Sequence, residues 1–221
     1  RCACLRPLLI EAARRLEADR VHLVDIGSSA GLNLFLDRWG VIYGPDLRAG
    51  PAETSVTVTS TLRSGAPPLD GMPEIVTRVG LDLDRIDMAK ADDRTWILAN
   101  LFPDDPDFAA TAQAAQDLLH SPPRFVVGDA TATLARTIAE LDPSIPVVLM
   151  HSMMVDALST RQRALLFSGA RGAAKGRRVA RISFERTPAG DVSLALAAGD
   201  ILQSMPVGRA EVDAKWFTWE G

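Results

Sequence analysis

The chain has 221 residues, a formal net charge of −4 and a pI near 5.4, with 47% hydrophobic and 24% charged residues. That length can bury a sizeable core in one domain. The acidic balance carries no electrostatic footprint for nucleic acid, and no apolar run approaches the roughly 20 residues of a membrane span.

In chain order, the sequence opens on Arg1 rather than methionine, which suggests a fragment that has lost an N-terminal portion. Residues 1–20 read as an amphipathic helix over 5–18 and the approach to a strand. Val21–Ile26 is apolar apart from His22 and Asp25, and it runs into the small-residue turn Gly27-Ser28-Ser29-Ala30-Gly31. Leu32, Leu34, Phe35, Leu36 and Trp39 then predict a helix over 31–39. Strand, tight turn and helix make the first unit of an α/β sheet, and open sheets of that kind bind ligands outside the carboxyl ends of their strands. Small residues let a ligand approach the backbone, and a helix start offers unpaired N–H groups.

Residues 40–74, with Gly40, Gly44, Gly50, Gly65, Gly71 and five prolines, break the alternation. They read as an insertion on the rim, with an exposed strand or hairpin around Ser55–Thr61. Further strands are expected at 75–83, 124–128, 146–151, 178–185, 191–197 and 215–220, and helices over 85–101, 107–120, 131–141 and 157–174. No convincing helix separates the last two strands, so the final one is expected to return antiparallel. The expected architecture is a single α/β domain over 1–221, a Rossmann-like three-layer sandwich whose mostly parallel seven-stranded sheet ends in an antiparallel strand. Trp96, Phe102, Trp216, Phe217 and Trp219 are expected in the core, and the basic run Lys175–Arg181 as a solvated loop.

Acids mark the ends of three of these strands: Asp25, Asp82 and Asp129. His151 follows the fourth. If the strands are parallel, all four residues reach one edge of the sheet. Three carboxylates would repel a polyphosphate, and no P-loop is present. Ribose hydroxyls, an adenine amino group and an ammonium suit carboxylate acceptors better. S-adenosylmethionine carries all three, with a sulfonium cation and no phosphate. Each acid also has a bland role: Asp25 can tie the turn together, and Asp129 or Thr131 can cap the helix over 131–141. Of the acids after the second strand, Asp84 is assigned to the helix cap and Asp82 to the ligand. His151 at a strand end could act as a general base toward an acceptor, or be structural. Cys2 and Cys4 are too few for a disulfide framework; Cys-Ala-Cys lacks further ligands nearby, so no metal is expected. With no secretory signal, the expected compartment is the cytoplasm.

VDIGSSAG resembles the first motif of class I S-adenosylmethionine-dependent methyltransferases, VGLDLDRIDMAKA their second, FVVGDATATL their third, and VVLMHSMM stands where their fourth lines the acceptor pocket. The resemblance implies that Asp25, Gly27, Ser29 and Gly31 hold the methionine part of the cofactor, Asp82 the ribose, and Asp129 with Ala130 the adenine. His151 would then face a small methyl acceptor. Two departures stand out: Ser29 replaces the middle glycine, and Asp82 comes 57 residues after Asp25, where comparable folds place an acid about 20 residues on. More narrowly, IGSSAGLNLFLDRW, RVGLDLDRID, WILANLFPDD and KWFTWE resemble a bacterial family known as domain of unknown function 2332.

Two other functions fit parts of the sequence. Gly27-Ser28-Ser29-Ala30-Gly31 also matches the G-x-S-x-G elbow of α/β-hydrolases, with Ser29, Asp129 and His151 in hydrolase order for an esterase triad. A non-catalytic domain that binds a nucleoside or a partner is the third. Nothing in the sequence sets the oligomeric state.

Overall fold

The computed structural model describes residues 1–99 and 108–221. The elements in order are α1 (Cys2–Arg15), β1 (Arg20–Ile26), β2 (Gly40–Ile42), β3 (Arg48–Ala49), β4 (Thr57–Thr59), β5 (Thr61–Ser64), β6 (Glu74–Asp82), α2 (Ala91–Ala99), α3 (Phe108–His120), β7 (Arg124–Val127), α4 (Ala130–Ala139), β8 (Val147–Ser152), α5 (Thr160–Ala173), β9 (Val179–Arg186), β10 (Val192–Ala198), β11 (Met205–Ala210) and β12 (Trp216–Thr218). Short 3-10 turns lie at Leu32–Phe35 and Val155–Ala157.

The main sheet has nine strands among the described residues, in the order β5-β12-β11-β10-β9-β8-β1-β6-β7. The run β7-β6-β1-β8-β9 is wholly parallel. Leaving aside the strands of the insertion, these are the third, second, first, fourth and fifth in the chain, the doubly wound order, with its switch point between β1 and β8. From β9 the chain meanders antiparallel through β10, β11 and β12.

The seven expected strands are all present, but the count is corrected to nine. One addition, β11, fills the interval read as a loop, so β12 returns against β11 and not against β10. The other, β5, comes from the insertion and pairs parallel with β12, Trp216 opposite Thr61. The alternating segment around Ser55–Thr61 is therefore not a hairpin. Its β4 joins β2 and β3 in a small second sheet, while β5 joins the main one. The chain changes sheets at buried Ser60, whose hydroxyl donates to Ala214 O at 2.6 Å.

Strand alternation divides the core in two. Leu23, Val148, Met150, Ala180 and Ile182 pack on the side of α1 and α3, with Leu5, Leu8 and Leu9 of α1 fully buried. Each such leucine contributes about 1.5–3 kcal/mol of burial. Val24, Ile26, Val147, Leu149 and Val179 face α4 and α5. Pro7 lies inside α1 and has no N–H for Ala3 O; the Tyr43 hydroxyl donates to that carbonyl instead, at 2.7 Å.

The helix expected over 31–39 is reduced to the 3-10 turn Leu32–Phe35. Its carbonyls find partners elsewhere: Arg6 donates to Leu36 O at 2.9 Å and Arg78 to Leu34 O; just beyond, the Gly40 N–H donates to Val56 O and starts β2. The helix expected over 85–101 begins only at Ala91 and is described to Ala99. Trp96 on it is 61% exposed, not core, and Phe102 lies outside the described residues. Trp219 and Phe217 are buried as expected, while Trp216 is half-buried with the Arg63 guanidinium 3.8 Å above its ring. The basic run is not a solvated loop: Arg177 donates to Ile138 O and Leu141 O, and Arg178 to Leu16 O. The last bond ties the end of α1 to the start of β9, so α1 runs opposite to the parallel strands.

Candidate functional site

The carboxyl edge of the parallel strands begins with the turn after β1. Three of its residues have left-handed backbone: Gly27 (φ +75°), Ser29 (φ +53°) and Gly31 (φ +82°). Four of the five turn N–H groups are committed inside the protein. Gly27 and Ser28 donate to Leu81 O, Gly31 to Ser28 O, and Ser29 to Asp82 Oδ2 at 2.7 Å. The glycines accommodate the chain's own side chains. A β-carbon on Gly27 would lie 2.8 Å from Met154 Cβ, and one on Gly31 3.1 Å from both Phe125 and Pro123. The helix expected to start here is corrected to a single 3-10 turn, and these four amides of the preceding turn are taken.

Asp25 is 1% exposed, and its Oδ2 has no hydrogen-bond partner among the described residues. Burial, reinforced by the charge of Asp82 and partly offset by Arg1, pushes its carboxyl from 3.8 up to about 8. Leu23 on the same strand packs on the α1 side, so Asp25 projects to that side too.

Asp82 ends β6, half-buried, with one oxygen on the turn. Its neighbours are apolar and open: Leu83 is 68% exposed and Val127, its register partner on β7, 58%. Asp129 is exposed and serves as the N-cap of α4, accepting from Thr131 N–H at 2.8 Å, with Ala130 the first helical residue. The cap assigned to Asp84 is corrected: Asp84 is exposed, while Asp87 accepts from Ala89 N–H and Asp93 from Asp87 N–H. Beside the turn, a small cleft of about 80 Å³ is lined by Ala30, Ile86, Met88, Leu118 and Phe125, with the Arg85 guanidinium 4.8 Å above the Phe125 ring.

His151 lies on the opposite face. It is 2% exposed, with its ring 5.5 Å from that of Phe167 on α5. Its Nδ1 is 2.7 Å from Glu185 Oε1, and its Nε2 is buried with no partner among the described residues. Burial lowers its pKa, and Glu185 partly offsets this. Asp25 and His151 thus project from opposite faces of the sheet, although they end neighbouring strands. The edge brings together Asp25, Asp82 and the turn, and sets His151 apart from them.

The esterase arrangement of Ser29, Asp129 and His151 is not assembled. Ser29 has the left-handed backbone of an elbow, but the acid on His151 is Glu185, and the Asp129 carboxylate caps α4. Glu185 was missed from the sequence. The signal was there: it is an acid at the end of a strand, the same mark that singled out Asp25, Asp82 and Asp129.

Among the described residues no group of three or more His, Cys, Asp and Glu is arranged to hold a metal ion. No helix among them is long and apolar enough to cross a membrane. A family model described as an uncharacterized protein conserved in bacteria, DUF2332, matches residues 1–219. No curated protein matches the chain.

Proposed function

The chain belongs to the DUF2332 family, and we propose that it binds S-adenosylmethionine at the carboxyl edge of β1 and β6 and transfers its methyl group to a small acceptor. The observation that carries this reading is the buried, partnerless oxygen of Asp25 beside a second carboxylate, Asp82, at the switch point of a doubly wound sheet. A buried carboxylate without a partner is costly, and a cationic ligand would complete it. The turn argues for the same ligand class. With four of its amides already bonded, it is a poor cradle for phosphate, and the Asp82 carboxylate would repel one.

The bound donor supplies an electrophilic methyl group on a sulfonium. Asp25 meets the cationic, methionine end, next to the backbone of Gly27–Gly31. Asp82 keeps one oxygen on Ser29 N–H and offers the other to the ribose hydroxyls. Exposed Leu83 and Val127 give the base an apolar surface, with Asp129 and Ala130 at its rim. The protein's contribution is to hold donor and acceptor in line and keep water from the charged centre. His151 is given no proton transfer in this reading, because it projects to the α5 face, opposite to Asp25 and Asp82.

Calorimetry with S-adenosylmethionine and S-adenosylhomocysteine tests the reading. Saturable heat with both is expected, and no heat with either overturns it. Formation of S-adenosylhomocysteine on incubation with a panel of small nucleophiles then separates a transferase from a binding domain.

A further inference from the structure

Glu185 does more than accept the His151 hydrogen bond. Oε1 takes the Met154 N–H at 3.2 Å as well as the His151 contact, and Oε2 takes the Val155 N–H at 3.2 Å. One carboxylate at the end of β9 thus fixes the chain leaving β8. With a carboxylate as acceptor, His151 carries its proton on Nδ1.

The fixed segment is strained. Met153 has φ +57°, a conformation that costs a non-glycine residue of this size about 1 kcal/mol or more and persists only where the surroundings over-determine it. The determinants are the Met153 N–H on Phe184 O at 2.9 Å and the two amides on Glu185. The result is a Met154 whose Cβ lies 2.8 Å from where a β-carbon on Gly27, the first residue of the turn, would stand. Ser29 and Met153, both left-handed, come just after the ends of the two strands that flank the switch point.

We propose that Glu185 is a positioning residue for the ligand-holding turn: by gripping His151 and the amides of Met154 and Val155, it seats Met154 against Gly27 and so sets where the turn backbone lies. This rests on the reading that Gly27–Gly31 holds the ligand. The His151–Glu185 pair acts from the opposite face of the sheet, through β8, and touches no substrate.

The test is NMR on the full chain with Glu185→Gln, which keeps the shape and has one oxygen where the carboxylate has two. The amides of Met154 and Val155 should exchange faster with solvent. The resonances of Gly27, Ser28 and Ser29 should move, and Met154→Ala, which leaves Glu185 intact, should move the same three. Changes confined to residues 151–156 in both variants overturn the proposal. In calorimetry Glu185→Gln should weaken S-adenosylhomocysteine binding by about five-fold or more; a lowered melting temperature with unchanged affinity assigns Glu185 to stability alone and overturns it. If the wild type binds no nucleoside, the functional reading fails, while the resonances of the turn still decide whether Glu185 positions it.

Discussion

Asp25 and Asp82 end adjacent parallel strands, yet only Asp82 has a hydrogen-bond donor on its carboxylate among the described residues: it takes Ser29 N–H at 2.7 Å, while Asp25 keeps a buried oxygen with no partner. The asymmetry makes Asp82 a brace for the turn and leaves Asp25 as a reservoir for a proton or a cation.

Stability should therefore depend on pH through Asp25. Its carboxyl titrates at about 8 in the folded protein, against 3.8 ordinarily, so the folded state holds the proton more tightly than the unfolded chain. That contribution is complete below pH 3.8 and is lost as pH rises through about 8. Urea midpoints of the wild type should fall between pH 5 and pH 8.5, and those of Asp25→Asn should fall less steeply. Parallel curves for the two proteins would remove Asp25 as the source.

Binding of a sulfonium nucleoside should release a proton. At pH 7 Asp25 is mostly protonated, and a bound cation would ionise it. The heat measured for S-adenosylmethionine should be more exothermic in Tris than in phosphate, because taking up the released proton is much more exothermic for Tris. With Asp25→Asn the two buffers should agree. Equal heats in the wild type would mean that the cation does not meet Asp25.

Asp82→Ala removes both the brace on Ser29 and the acceptor offered to ribose. The expected loss of nucleoside affinity is more than about ten-fold, as for charge-assisted hydrogen bonds. Unchanged affinity by calorimetry would exclude Asp82 from the site.

Gly80→Ala should destabilise the fold at the same edge. Its β-carbon would come 2.6 Å from Ser28 Oγ and 2.8 Å from the Phe125 ring. Overpacking of this kind costs about 1–3 kcal/mol, read as a lower urea midpoint with an unchanged slope. A midpoint equal to the wild type would show that Phe125 can move aside.

Arg78 carries the crossover that lacks a helix. It holds Asp37 with two 2.7 Å bonds, donates to Leu34 O, and lies 4.9 Å from the Phe35 ring centre. The pair is 12% and 18% exposed. Arg78→Met leaves Asp37 unpaired and should cost about 2–3 kcal/mol. Chemical denaturation showing a loss under about 0.5 kcal/mol would place the support of this segment elsewhere.

The strands of the parallel core were legible because each is a short apolar run with its own turn signal, and an acid at a strand end is visible without knowing the neighbours. The bland reading of Asp129 as a cap was legible for the same reason: Asp129 and Thr131 lie two residues apart. The periodicity over 31–39 is real, but Arg6 and Arg78 claim its carbonyls and Val56 O takes the Gly40 N–H just beyond, all from outside the local window. Glu185 was overlooked because its partner is 34 residues away, and only strand pairing makes them neighbours.

By itself the sequence determined an α/β chain with carboxylates at the ends of its first strands, since hydrophobic period and turn chemistry act within a few residues. Only the tertiary structure decided that β5 joins β12 across some 150 residues, that Asp25 is buried without a partner among the described residues, and that His151 turns to Glu185 on the opposite face. Those outcomes depend on which strands pair and which side of the pleat each residue takes, and no local window contains that information.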